Sequence, residues 1–424
     1  MSFFIMQHSV CVHRLRQKLL IAVVLLTGIL LSDQSHAQIG GGNWYKGDLH
    51  AHSTYSDGDS PVAEVIASAE ALGLDFFALT DHDIFMDGNP PHFFDPDYHS
   101  EKMVLLYGVE WTTRSGHANI WSSMPFSYQA LWQANREEDA HAAISAAHSE
   151  GALFSINHPS AFLCCPWEYQ VYDDIDTIEV WNSMFALPNF SRLTVRHFWE
   201  DLLKSGRRIP GVGGSDTHHI QDWQSVLFGH GNPTTWVYAD ELTAEALVAG
   251  IKAGHVSISY DPSAVRLDFS ADTDGDGEDD TMMGDAIVHE SGQEISFTVK
   301  AVGPTDNEGT PRGKVLELNE SLVGDLEEGV IVSEDLFNLL IIHSNENGAD
   351  SYGVVVFKNG KFFKVGLLLN GARTFTFMDT PKTLTPTYYR VELFGMPHVH
   401  SLHLPFYGME VALTNPIYIN FPQQ

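Results

Sequence analysis

The chain has 424 residues, of which 44% are hydrophobic and 18% charged, so it is long enough for two or three domains and can bury a sizeable core. Asp and Glu outnumber Lys and Arg by 55 to 23, giving a formal charge of -32. Such a surface repels polyanions over roughly 8–10 Å, which argues against a nucleic-acid polymer as partner and leaves small substrates open. Three cysteines, two of them the neighbours Cys164 and Cys165, exclude a disulfide framework. Two small apolar residues are the simpler reading of that pair, and a vicinal disulfide is the alternative.

In chain order, Arg14, Arg16 and Lys18 precede an apolar run over 19–31, and Ser35-His36-Ala37 supplies small residues before Gln38. That layout predicts a secretory signal over 1–37, a periplasmic or secreted protein, and no membrane contact after cleavage; an uncleaved anchor is the alternative. Removing the segment takes away three positive charges and one negative, leaving the remainder more acidic still.

Beyond it, apolar β-type runs alternate with helical stretches. Strands are expected at 44–49, 74–80, 103–110, 117–121, 152–157, 176–182 and 208–214. Helices are expected at 61–72, 138–149, 190–205 and 242–254. The first helix is punctuated by Ser60 as N-cap, Pro61 in its first turn and Gly73 just past its end. Alternating strand and helix predicts an α/β fold with a parallel sheet, forming a domain over 38–261. From 262 to 424 short alternating runs dominate, at 294–299, 339–343, 353–358, 361–368, 374–377 and 388–394, separated by turns such as Lys358-Asn359-Gly360. This predicts a smaller C-terminal β-sandwich-like domain.

Nine side chains that suit hard or borderline metals stand mostly where the predicted strands end: His50, His52, Asp57, His82, Glu110, His117, His158, Asp216 and His218. They sit in the phrases Gly-Asp-Leu-His-Ala-His-Ser (47–53), Thr-Asp-His-Asp (80–83), Gly-Val-Glu-Trp (108–111), Asn-His-Pro (157–159) and Gly-Gly-Ser-Asp-Thr-His (213–218). Imidazole and carboxylate together suit Zn, Mn or Fe, and a shared carboxylate can bridge two ions. The pattern predicts a multinuclear metallohydrolase. Asp81 and Asp83 are candidates to orient ligands, or else turn residues; Asp48 carries the same ambiguity. Arg114 is a candidate to grip a substrate anion. Trp111 and Asn182 end strands and are candidates to line the pocket. Asp272, Asp274, Asp276 and Asp280 follow the first part of a Ca²⁺ loop, with Met283 where the bidentate Glu would stand. His398, His400 and His403 copy the first motif's spacing, but alternate positions on one strand face explain them.

In order, these phrases resemble the polymerase and histidinol phosphatase (PHP) superfamily, over roughly 44–260. The signal segment, Pro-Thr-Thr-Trp-Val-Tyr-Ala-Asp-Glu-Leu at 233–242 and Ala-Leu-Thr-Asn-Pro-Ile-Tyr at 412–418 look like its exported CehA/McbA-type branch, named for aryl N-methylcarbamate hydrolysis. The resemblance implies a distorted TIM-like (β/α)7 barrel with two or three divalent ions. It implies a first ion on His50, His52, Glu110 and Asp216, a second on Glu110, His117 and His158, and a third on Asp57, His82 and His218. Glu110, Asp216 and His218 would carry the reaction. The expected function is hydrolysis of a small phosphoester by a metal-activated water. Alternatives are an aryl carbamate or carboxylic ester hydrolase and, in a different class, a non-catalytic binding module. Oligomeric state is not readable from the chain.

Overall fold

The structure, a computed structural model, describes residues 39–160, 165–182, 190–221, 229–290, 292–303, 314–317, 351–369, 371–395 and 409–422. The signal segment, Cys164, the 339–343 run, and His398, His400 and His403 lie outside the described residues. Cys165 is disulfide-bonded, contrary to the expectation of a free apolar thiol.

Strand β1 (Asn43–Asp48) is followed by helix α1 (Val62–Ala71), whose Val62, Val65, Ile66 and Ala69 recur at helical spacing and pack against Leu74, Phe77 and Leu79. Ser60 does not cap α1: its hydroxyl donates to Asp59, and Pro61 precedes the first turn without a side-chain cap. Gly73 ends it at φ +67, where its lack of a Cβ removes the left-handed penalty. Then come β2 (Phe76–Leu79), β3 (Val104–Thr113), β4 (Gly116–Ser122), α2 (Gln129–Glu137), α3 (Ala140–Ser149), β5 (Leu153–Ile156), β6 (Thr177–Asn182), α4 (Phe190–Lys204) and β7 (Gly211–Gly214). β8 (Thr234–Ala239), α5 (Ala244–Ala253) and β9 (Val256–Ser259) complete this part.

The strands β1 to β7 lie side by side in sequence order. β1–β2–β3 and β5–β6–β7 pair in parallel, whereas β3–β4 and β4–β5 are antiparallel. The α/β expectation therefore holds, but strict strand–helix alternation does not: a tight turn at Arg114–Ser115 joins β3 to β4 without a helix. Just past β1 and β7 the backbone closes the two ends of this run, with Asp216 N–H donating to His50 O and His52 N–H to Thr217 O, both at 2.9 Å. Lower down, β1 pairs antiparallel with β8 instead.

The C-terminal part holds β10 (Arg266–Asp272), β11 (Thr281–Met282), β12 (Ala286–Ile287), β13 (Ile295–Val302), β14 (Lys314–Glu317), β15 (Tyr352–Lys358), β16 (Lys361–Leu369), β17 (Thr374–Asp379), β18 (Thr387–Gly395), β19 (Met409–Thr414) and β20 (Ile417–Ile419). A four-stranded sheet, β11-β10-β13-β17, packs over β15 and β18 through Phe269, Phe297, Phe377, Val354 and Val391. These strands thus lie in two layers with the aromatic side chains between them. The expected boundary near 262 falls between β9 and β10, yet no break in hydrogen bonding marks it: β9 pairs antiparallel with β19, and one sheet continues through both parts.

A buried ionic network ties α4 to that sheet. Arg390 bonds Glu200 and Glu392, Arg196 bonds Glu392 and Glu410, and Tyr388 donates to Glu200.

Candidate metal centre

The ligand phrases gather at one edge of the β1–β7 run because parallel strands end there, the edge at which such sheets collect functional groups. In the segment after β1, alternation turns His50 and His52 to one side while Leu49 and Ala51 enter the core. β4 runs the other way, so its first residues lie at the same edge. Thr112 is paired with His117 and Glu110 with Asn119, which makes Glu110 and His117 diagonal neighbours on one face.

Glu110 is the centre, with no exposed surface. Its Oε1 lies 3.4 Å from His50 Nε2, 3.2 Å from His117 Nδ1 and 3.5 Å from His158 Nε2. Its Oε2 lies 2.7 Å from His82 Nδ1 and 3.6 Å from His52 Nε2. Asp216 Oδ1 sits 3.3 Å from His50 Nε2 and 3.1 Å from His52 Nε2. Asp57 Oδ1 sits 3.3 Å from His218 Nε2 and 3.6 Å from His82 Nε2. All nine side chains singled out in the sequence therefore converge. Their donor atoms form three overlapping groups: His50, His52 and Asp216; His82, Glu110 and His117; His52, Asp57, His82 and His218.

Six imidazoles and three carboxylates brought this close perturb one another. Burial alone would raise the Glu110 carboxyl, but the charges of His82, His50 and His117 outweigh it and hold it well below the usual range. Asp216 is lowered well below its ordinary value in the same way, by His50, His52 and His218 against burial. His52 is pushed down to about 4 by burial and by the charges of His218 and His82, whose rings lie 4.0 and 4.4 Å away. Burial opposes charge on His218 too, but its bond to Asp57 and the charge of Asp216 raise it to about 9.

Backbone strain marks two of these residues. His158 has φ +26 and Asp216 φ +56, left-handed conformations that each cost a non-glycine residue on the order of 1–3 kcal/mol and persist only where the surroundings enforce them. Sequence offered no sign of either.

The supporting shell resolves the ambiguous aspartates. Asp81 accepts from Ser53 N–H, Ser53 Oγ and Ser56 Oγ, and so holds the loop that carries Asp57. Asp83 accepts from Thr112 N–H, Tyr128 OH and Asn135 Nδ2, and burial pushes its carboxyl up to about 7. Asp48 accepts from Ser215 and from Gly231 N–H, fixing the phrase that leads to Asp216. Asn157 donates to Glu110 Oε1 at 2.8 Å.

Glu179 on β6, missed in the sequence reading, accepts from His50 Nδ1. The usable signal was a lone acid inside the apolar run Thr-Ile-Glu-Val-Trp, since an acid so placed is rarely buried without partners.

The candidate substrate residues fare less well. Trp111 is not pocket-lining: period-2 alternation turns it away from Glu110 into the core, where its indole donates to Leu131 O and packs against Trp167 and Tyr169. Arg114 lies exposed in the β3–β4 turn and makes no ion pair among the described residues. Asn182 does reach the centre, but as a brace, donating to Asp216 Oδ2 and Glu179 Oε2.

In the acidic loop, Asp272, Asp274 and Asp276 bring oxygens together, with Asp272 already accepting from Gly275 and Gly277 N–H. Asp280 does not join them; it accepts from Thr273 and Thr281 instead.

The donor chemistry of the centre fits divalent ions. His50 Nε2 and Glu110 Oε2 are buried without a hydrogen bond, and both face further imidazole and carboxylate ligand atoms. A divalent cation satisfies that arrangement, since imidazole nitrogen and carboxylate oxygen are its usual ligands.

A family comparison agrees with this geometry. Residues 48–174 match the PHP domain. The matched PHP segment spans β1's last residue to the approach of β6 and holds seven of the nine side chains, with Asp216 and His218 beyond it. No curated protein matches the chain. Solved structures do. A two-domain protein from Bacteroides vulgatus, described as containing a predicted PHP-like metal-dependent phosphoesterase, is 16% identical over 89% of this chain and 96% of its own, with a TM-score of 0.42. A Bifidobacterium adolescentis protein proposed to be a metal-dependent phosphoesterase is 16% identical over 40% and 87%, with a TM-score of 0.27. A Chromobacterium violaceum amidohydrolase with bound sulfate and no metal is 15% identical over 41% and 88%, with a TM-score of 0.28.

Proposed function

We propose that the protein is an exported metal-dependent hydrolase that cleaves a small phosphoester. The observation that carries the reading is Glu110, whose two oxygens are shared among five imidazoles in a fully buried space. In this reading His50, His52, Glu110 and Asp216 hold one ion, Glu110, His117 and His158 a second, and Asp57, His82 and His218 a third, with Zn, Mn or Fe as occupants. Bound ions of this kind supply Lewis acidity at the scissile group and lower the pKa of a water toward about 7.

The chain's own residues then do the orienting. Asn157 and Asn182 fix the carboxylates of Glu110 and Asp216. Asp81 steadies the loop of Asp57, whose side chain is 47% exposed and marks the open side from which substrate approaches. The reading includes a distorted barrel over 38–261, a β-sandwich-like domain over 262–424, and export directed by residues 1–37.

Metal loading should release protons. His218, raised to about 9, carries a proton at pH 7 in the metal-free protein, and a ligated imidazole cannot keep it. Affinity for Zn²⁺ is expected to climb between pH 7 and pH 9 and then level off. Calorimetry in buffers of differing ionisation enthalpy counts the protons; none released at pH 7 contradicts His218 as a ligand.

A second reading, an aryl ester or carbamate hydrolase of the CehA/McbA type, is favoured by a specific feature. Ile84 and Phe85, both more than half exposed, follow His82, and the Phe85 ring lies 6.4 Å from the His82 ring. Among the described residues no lysine or arginine pairs with Glu110, Asp216 or Asp57. Turnover by the Mn²⁺- or Zn²⁺-loaded protein of an aryl phosphate against an aryl N-methylcarbamate decides. Preference for the phosphate is expected; preference for the carbamate replaces the first reading with the second.

A further inference from the structure

We propose that Glu179 is the positioning residue that couples the two inner metal positions, one carboxylate orienting a ligand of each. The inner positions are those of His50, His52 and Asp216 and of Glu110, His117 and His158; the outer is that of Asp57, His82 and His218. The inference rests on the metal reading above but not on any substrate.

Glu179 is buried and both of its oxygens are committed. Oε1 lies 3.0 Å from His50 Nδ1, which puts the ring proton there and leaves the Nε2 lone pair facing Glu110 Oε1 and Asp216 Oδ1. Oε2 accepts at 2.9 Å from the peptide N–H of His158. That bond anchors the residue at its strained φ of +26, which aims the ring toward Glu110. Oε2 also accepts from Asn182 Nδ2, which bonds Asp216 as well. Through three contacts Glu179 thus governs the orientation of His50, His158 and Asp216, and none of these contacts reaches Asp57, His82 or His218.

The neighbouring strand is shaped around this carboxylate. A Cβ on Gly214 would stand 2.4 Å from Glu179 Oε1 and 2.5 Å from the His50 Cβ. Only glycine lets β7 pass so close.

Outer partners of ligand histidines are worth roughly 10–100-fold in metal affinity. The test is stepwise Zn²⁺ affinity of the full chain, by competition with a chromophoric chelator, in Glu179→Ala and Glu179→Gln, with Asp57→Ala identifying the outer step. In Glu179→Ala both inner steps are expected to weaken by roughly 10–100-fold, with the outer step unchanged. Glutamine can accept from His50 with its amide oxygen but then turns an NH₂ toward the His158 N–H. Glu179→Gln should therefore rescue the His50 position and leave the His158 position weak.

A merely structural role would lower the melting temperature of the metal-free protein without separating inner from outer steps. Equal weakening of all steps, or no weakening, overturns the proposal while leaving the metal reading intact. Failure of the wild-type chain to bind Zn²⁺ at these residues overturns both.

Discussion

Glu110→Gln is expected to cost the protein its metal and its turnover together. Glutamine keeps the size of glutamate but loses the charge, and its amide cannot offer two equivalent oxygens to two ions. In the native side chain both oxygens lie among five imidazole nitrogens, at 2.7 to 3.6 Å. Loss of an outer partner alone costs roughly 10–100-fold, and loss of the shared ligand should exceed the upper end of that range. Metal content after dialysis and kcat on the better of the two aryl substrates read the effect. Near-UV circular dichroism should stay native, because the apolar face of β3, including Trp111, is untouched. A Glu110→Gln protein within tenfold of wild-type turnover would remove Glu110 from the centre of the mechanism.

Arg390→Ala should give a large loss of stability. Arg390 is buried between Glu200 and Glu392 and lies over the Phe357 ring, with the guanidinium carbon 4.2 Å from its centroid. Removing it takes from Glu200 its ion pair with Arg390 and leaves Glu392 and Glu410 bonded to Arg196. Stranding buried charge in this way costs about 3–5 kcal/mol, more than the pair itself contributed. Chemical denaturation of the metal-free protein measures it. A loss below about 1 kcal/mol would mean that water reaches the network and screens it. The site side chains do not contact Arg390, so metal affinity of the folded variant should match wild type.

The metal centre was legible because its chemistry is concentrated in residue types that seldom share a buried space. His50 and His52 stand at alternate positions after an apolar run, and Asp216 and His218 repeat that arrangement at β7. Period-2 alternation and strand ends were enough to predict convergence. The same alternation could have rejected Trp111 as a pocket residue, since it follows Glu110 directly and must face the other way. Arg114 was singled out for its guanidinium and its place four residues after Glu110, and neither says which way a turn residue points.

What stayed hidden depended on contacts between distant segments. Glu179 takes its meaning from His50, and Asp83 from Tyr128, just before α2, and Asn135 on it, a helix that the sequence reading did not place. The strained φ of His158 and Asp216 leaves no mark in composition, because neither is glycine. The shared sheet was invisible for a similar reason: β9 and β19 are separated by some 150 residues, and their pairing is set by register rather than by any local signal.

The most direct test of the central claim is an anomalous-scattering crystal structure of the full chain loaded with Zn²⁺ or Mn²⁺. The account predicts at least two ions, with Glu110 ligating both through its two oxygens and His50 Nε2 turned toward one of them. Metal that leaves Glu110 uncoordinated, or a single ion held by other residues, would contradict it.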